Sequence, residues 1–139
     1  QTSALDKSNT VPCPQGYWEF RGICYKAFKE LETFTNSMAA CLEDGGTLAM
    51  PKDSDINTFL ISLKKSTARS FTHFWFGLHD QREEGYFEWV DGTALGKYNS
   101  WGPGEPDNYS GREHCGFYDP LKQDAWSDNP CDYDQSFIC

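Results

Sequence analysis

Four carboxylates stand close together in a stretch that carries few other signals: Glu105, Asp107 and Glu113, with Asp128 a short way on. Ionised Asp and Glu are acceptor-only oxygen donors. Six to eight such oxygens, at about 2.3–2.6 Å, are what Ca2+ takes. Crowded acids repel one another, so they need either wide solvent separation or a cation between them. Pro106 separates the first two, and a cis bond before proline can turn the flanking carboxylates toward one point. Spacing alone leaves two readings open, a calcium site or the ordinary solvated acids of an acidic chain, because position in a loop fixes no geometry. No EF-hand pattern selects between them. A second pair, Asp80 and Glu84, follows an apolar run and in isolation reads as a solvated turn. Two of these acids acting as a glycoside hydrolase is a poor reading, since that chemistry needs one carboxyl of raised pKa opposite another. Zinc is not expected either: Cys-x-x-Cys is absent, and His73, His79 and His114 lack metal-ligand spacing.

The elements that must position these acids can be read from periodicity. Phe34, Met38, Cys41 and Leu42 recur at helical spacing, with Thr33 or Thr35 as N-cap and Gly45-Gly46 as the stop. Ile56, Phe59, Leu60 and Leu63 form a second helical stripe behind Asp53-Ser54, running out in Lys64-Lys65 where cations suit a negative helix end. Beyond Ser66 the runs become short and aromatic: 74–78, 86–90, 115–118 and 136–139 read as strands between turn residues. Residues 17–20 and 23–25 flank Arg21-Gly22 as a hairpin. Helices first and antiparallel strands later predict an α+β domain. Residues 91–113 carry no element signal, and a loop that long inside a compact domain is usually functional or disordered. Its aromatic and acidic content favours function.

Composition bounds the rest. The chain has 139 residues, enough for one domain with a real core. Residues 1–12 read as a flexible N-terminal segment and 13–139 as the domain. Twelve Lys+Arg against 21 Asp+Glu give a net charge of −9, the wrong sign for a phosphate backbone, so no nucleic-acid partner is expected. No apolar run is long enough to insert in a membrane. Six cysteines, an even count, point to disulfides in an oxidising compartment, and the chain, lacking a leader at Gln1, is read as a secreted, extracellular protein already processed. Six cysteines permit 15 pairings, and spacing does not choose among them.

Several motifs, in order, resemble the C-type lectin domain. Cys13-Pro14-Gln15-Gly16-Tyr17 resembles the family's opening Cys-Pro-x-Gly-Trp. Trp75-Phe76-Gly77-Leu78 resembles its Trp-Ile-Gly-Leu strand, and Trp89-Val90-Asp91-Gly92 its Trp-x-Asp-Gly turn. Glu105-Pro106-Asp107 stands where the sugar-binding tripeptide belongs, and Trp126-Ser127-Asp128 replaces Trp-Asn-Asp before Cys131. The resemblance implies the long form of the fold, two helices on small antiparallel sheets, with disulfides Cys13–Cys24, Cys41–Cys139 and Cys115–Cys131. It also implies a primary Ca2+ held by Glu105, Asp107, Glu113 and Asp128. Two sugar hydroxyls would bind that ion and the same side chains, with Ser127 contributing to the carbohydrate contact.

The sequence departs from the family pattern in places that matter. Mannose-type members carry Glu-Pro-Asn and galactose-type members Gln-Pro-Asp, whereas Glu105-Pro106-Asp107 mixes the two. An ionised Glu/Asp pair only accepts hydrogen bonds, so the acceptor–donor code that selects a sugar diol is lost. Asp80 and Glu84 match ligands of a second Ca2+, and Asn108 could join them through its amide oxygen. His114 occupies a position where the family places an acid. Asn108-Tyr109-Ser110 is an N-x-Ser sequon on the same loop, where Tyr109 could stack on a sugar. The expected function is calcium-dependent binding of mannose- or galactose-type glycans or microbial polysaccharides, in the manner of innate immunity, by a non-enzymatic and potentially oligomeric lectin. The alternative is a protein-binding domain of this fold that has lost sugar recognition.

Overall fold

In the computed structural model the described residues are 5–6, by their backbone, together with 12–108 and 111–139. The helices form where the periodicity places them. Helix α1 (Phe34–Glu43) starts at Thr33, whose hydroxyl accepts from the Asn36 N–H at 3.1 Å. It stops at Gly45, with φ near 90°, and the Gly46 N–H returns to the Cys41 carbonyl. Helix α2 (Ser54–Thr67) is capped by Asp53, whose carboxylate accepts from the Ile56 N–H at 2.9 Å. It continues past Lys64-Lys65 to Thr67 because the Ser66 and Thr67 hydroxyls bond back to the Leu63 carbonyl. Lys64 is not a solvated helix-end cation. It is buried at 3 % exposure, paired with Asp124, and lies over the rings of Phe74 and Tyr118.

Two sheets hold the chain. The smaller, in order β1-β3-β2, joins β1 (Leu5–Asp6), β2 (Trp18–Phe20) and β3 (Ile23–Tyr25). Within the expected flexible segment, therefore, Leu5 and Asp6 pair with Cys24 and Ile23; residues 1–4 and 7–11 lie outside the described residues. The larger sheet contains β4 (Ala27–Glu32), β5 (Phe74–His79), β6 (Glu88–Trp89), β7 (Cys115–Asp119), β8 (Ala125–Asn129) and β9 (Gln135–Ile138). Its order is β4-β9-β5-β7-β8 with β6 on β5, and only the β5–β9 pairing is parallel among the described strands. Strand β6 is shorter than the aromatic run 86–90 suggests. Strands β4 and β8 carry too many charged and amide side chains to announce themselves by apolar alternation.

The core is aromatic and sits between α2 and the central strands. Phe76 packs on Tyr118 and Trp126 with centroids 4.8 and 5.0 Å away. Two donors buried with them, the Tyr118 hydroxyl and the Trp126 indole N–H, share the Asn57 amide oxygen at 2.7 and 3.0 Å. Leaving either unsatisfied would cost about 1–3 kcal/mol. Gly77 has no room for a side chain, since a Cβ would meet Val90 Cγ2 at 2.8 Å. Disulfides Cys13–Cys24, Cys41–Cys139 and Cys115–Cys131 are all present, as the resemblance implies. The second ties α1 to the end of β9 across 98 residues of sequence.

Candidate functional site

The long loop is not loose where it matters. Its residues 100–102 run along the edge of β8: Trp126 donates to the Ser100 carbonyl, and Gly102 donates to the Trp126 carbonyl, both at 2.8 Å. Trp101 packs edge-on against Trp126 at 5.7 Å. The Glu105 N–H then closes a turn on the Gly102 carbonyl at 2.9 Å, and the Glu105-Pro106 peptide bond is cis. Strand β8 presents Asp128 to the loop, and both of its carboxylate oxygens accept backbone N–H groups, from Asp107 and from Asn108, each at 3.1 Å.

That arrangement gathers three of the four sequence-identified acids. One oxygen each of Glu105, Asp107 and Asp128 lies within 4.8 Å of the others. Asp128 is buried at 3 % exposure, Asp107 is exposed, and Glu105 lies between. Glu105 Oε1 is buried without a hydrogen-bond donor among the described residues. Two ionised carboxylates cannot hydrogen-bond each other, and their repulsion at this range favours the protonated form of one of them. Accordingly, burial first and the Glu105 carboxyl second push the Asp128 pKa up to about 8, against the pull of the Asp107 and Asn108 N–H groups. Glu113 stands outside this group; its N–H donates to the Asn108 amide oxygen at 3.1 Å. Ser127 is buried, and its hydroxyl donates to Asp119 Oδ2 at 2.9 Å, so it is already engaged within the hairpin.

Sequence reasoning missed one member. The Lys122 ammonium forms an ion pair with Glu105 Oε2. Lys122 closes the 3₁₀ turn Pro120–Lys122 between β7 and β8, and its aliphatic stem crosses Gly102. A Cβ at 102 would meet Lys122 Cδ at 2.9 Å, so glycine there makes room for this lysine. The hydrogen bond to Glu105 and the nearby acids Asp119 and Asp107 hold the Lys122 ammonium above the ordinary lysine range. The signal that could have found it is the short turn between the run 115–118 and the Trp126 motif, which must return over the loop.

Of the Asp80, Glu84 and Asn108 expected at a second site, the two acids come together with His114, the donor atoms of these three lying within 4.8 Å of one another. His114 Nδ1 lies 3.0 Å from Asp80 Oδ1 and 3.2 Å from Glu84 Oε1. The Asn108 amide oxygen accepts from the Glu113 N–H. Tyr109 and Ser110, the rest of the sequon and the proposed stacking ring, lie outside the described residues.

Comparison with known proteins places this geometry. A family model described as the Lectin C-type domain matches residues 30–139. A relative from Gorilla gorilla gorilla, "C-type lectin domain family 4 member M", is 36 % identical over 129 residues, covering 91 % of this chain and 32 % of that protein. The chain thus spans about a third of the length of the curated relative it matches. Among solved structures, the C-type lectin CEL-I from Cucumaria echinata superposes with a TM-score of 0.85 at 25 % identity, over 91 % of this chain and 95 % of that one. The cow carbohydrate-recognition domain of CD23, solved in the presence of a GlcNAc2Man3 oligosaccharide, gives 0.80 at 26 % identity, covering 92 % and 94 %.

Proposed function

Since the chain belongs to the C-type lectin domain family, a family of binders rather than enzymes, we propose that it is a calcium-dependent glycan-binding domain whose ion is held by Glu105, Asp107 and Asp128, with Glu113 as the fourth acid. The observation that carries this reading is the buried Glu105 Oε1, without a donor among the described residues and grouped with oxygens of two other carboxylates. The donor set fits the ion, since all the grouped atoms are hard oxygens. When bound, the ion supplies a charged template for two neighbouring sugar hydroxyls. The side chains then act as hydrogen-bond acceptors for those hydroxyls; Glu105 and Asp107 offer no amide N–H, so discrimination between mannose-type and galactose-type diols is weak. The three disulfides suit an oxidising, extracellular setting, and among the described residues no helix is long and apolar enough to cross a membrane. Glycans of cell or microbial surfaces are the natural ligands of such a site, with avidity from multivalency.

The test is binding to a glycan array with and without calcium. Binding that EDTA abolishes and excess calcium restores is the expected result. Absence of EDTA-sensitive binding to any glycan or microbial surface overturns it. A protein-binding function without sugar is the second reading, favoured by the Lys122–Glu105 pair and by the engagement of Ser127 with Asp119. It requires partner affinity that is unchanged in Glu105→Ala and Asp107→Ala.

A further inference from the structure

The triad Asp80, Glu84 and His114 has the wrong donors for calcium and the right ones for a borderline metal. We propose that it is a Zn2+ site, independent of the primary calcium acids. Calcium wants six to eight oxygens and gains little from an imidazole. Zinc takes three protein ligands from among His nitrogen and carboxylate oxygen, at about 2.0–2.2 Å, and leaves the fourth position to water or a further ligand. Two ligands at those lengths in a tetrahedron stand about 3.3 Å apart. The His114 Nδ1 contacts, 3.0 Å to Asp80 and 3.2 Å to Glu84, are close to that spacing.

Two of the three ligands are fixed by the sheet. Asp80 directly follows β5 and His114 directly precedes β7, and these strands pair with His79 opposite Cys115. The Asp80 N–H donates to the His114 carbonyl at 2.9 Å, locking the two backbones together. Asp80 is 2 % exposed, and its second oxygen accepts from the Gly85 N–H at 2.8 Å, an outer hydrogen bond that aims the first oxygen at the imidazole. Glu84 is exposed, so it can swing onto an ion and provides the entry side. The histidine spacing in sequence gives no hint of this, because the ligands to His114 come from a different strand end. What the resemblance implies as a calcium pair therefore carries nitrogen, and the metal preference changes with it.

The experiment is isothermal titration of the intact, disulfide-bonded chain with ZnCl2 and separately with CaCl2, with histidine ring-nitrogen NMR alongside. One Zn2+ per chain, bound in the micromolar range with a shifted His114 Nδ1 resonance, is expected. His114→Asp should weaken zinc at least about tenfold and strengthen calcium at this site. Glu84→Gln, at an exposed position that does not threaten the fold, should also weaken zinc. Zinc binding that persists in Glu105→Gln separates this site from the primary acids. Absence of zinc binding below about 1 mM, or zinc affinity indifferent to both His114→Asp and Glu84→Gln, overturns the proposal and leaves the triad as an internal ion pair.

Discussion

Two clusters of acids in this chain each enclose a basic side chain, and they differ in what holds them. Asp80 and His114 extend directly from paired strands, so their approach is set by sheet register. Glu105 and Asp107 belong to the loop, and reach Asp128 through two backbone hydrogen bonds and the Trp101–Trp126 contact. The bases differ as well. His114 is itself a metal ligand type, whereas the Lys122 ammonium is a tethered cation occupying one oxygen of Glu105. One base therefore adds to its site, and the other competes for it.

The largest test of that contrast is Asp128→Asn. It removes the ligand's charge and turns one of the two oxygens that anchor the Asp107 and Asn108 N–H groups into a donor NH2 facing an N–H. Calcium affinity should fall by more than the roughly 10–100-fold that losing an outer-shell partner costs, with zinc affinity unchanged. A parallel loss of zinc would break the separation between the clusters. Acidity comes next. Because burial and Glu105 push the Asp128 pKa up to about 8, calcium must displace a proton below that pH, and affinity should drop about fivefold from pH 8 to 7. Without calcium the sign reverses. A carboxyl whose folded pKa is raised stabilises fully below its unfolded value, and that contribution is lost as pH rises to about 8. Calcium should therefore raise Tm more at pH 8 than at pH 6, which calorimetry at the two values would show.

Lys122→Met removes the competing cation. The pair is part-exposed on the lysine side, so at most about 1 kcal/mol, or five-fold in calcium affinity, is expected, together with a lower Tm that calcium restores. The smallest effect is assigned to Glu113→Gln. Its carboxylate stands outside the three grouped acids, and a few-fold loss in calcium titration is expected. A loss as large as that of Asp128→Asn would mean that the loop closes around the ion more completely than the three-acid group does.

Much of this was legible before any coordinates. The stripes at Phe34–Leu42 and Ile56–Leu63 declare their helices by apolar period, although in the first only Phe34 and Cys41 are buried while Met38 and Leu42 stay exposed, and Thr33 and Asp53 cap where capping chemistry allows. Strand β8 was hidden because its Ser127 and Asp128 serve the hairpin and the loop instead of alternating apolar and polar. Strand β4 was hidden by its Lys and Glu residues, several of them exposed. For the sites, residue type singled out Glu105, Asp107 and Asp128, which the fold groups, along with Glu113, which stands outside that group. It failed for Lys122, 17 residues from Glu105, and for His114, 34 from Asp80, because those meetings depend on strand pairing. The His79–Cys115 register is the missing piece of information in the second case.

The bond between Cys41 and Cys139 has a consequence for a chain exposed to proteases. Any single backbone cut between residues 42 and 138, including one across the ligand loop, leaves both fragments covalently joined. A nicked molecule would migrate intact on a non-reducing gel and as two pieces after reduction. Damage to the loop at 91–113 thus need not separate the two halves of the domain.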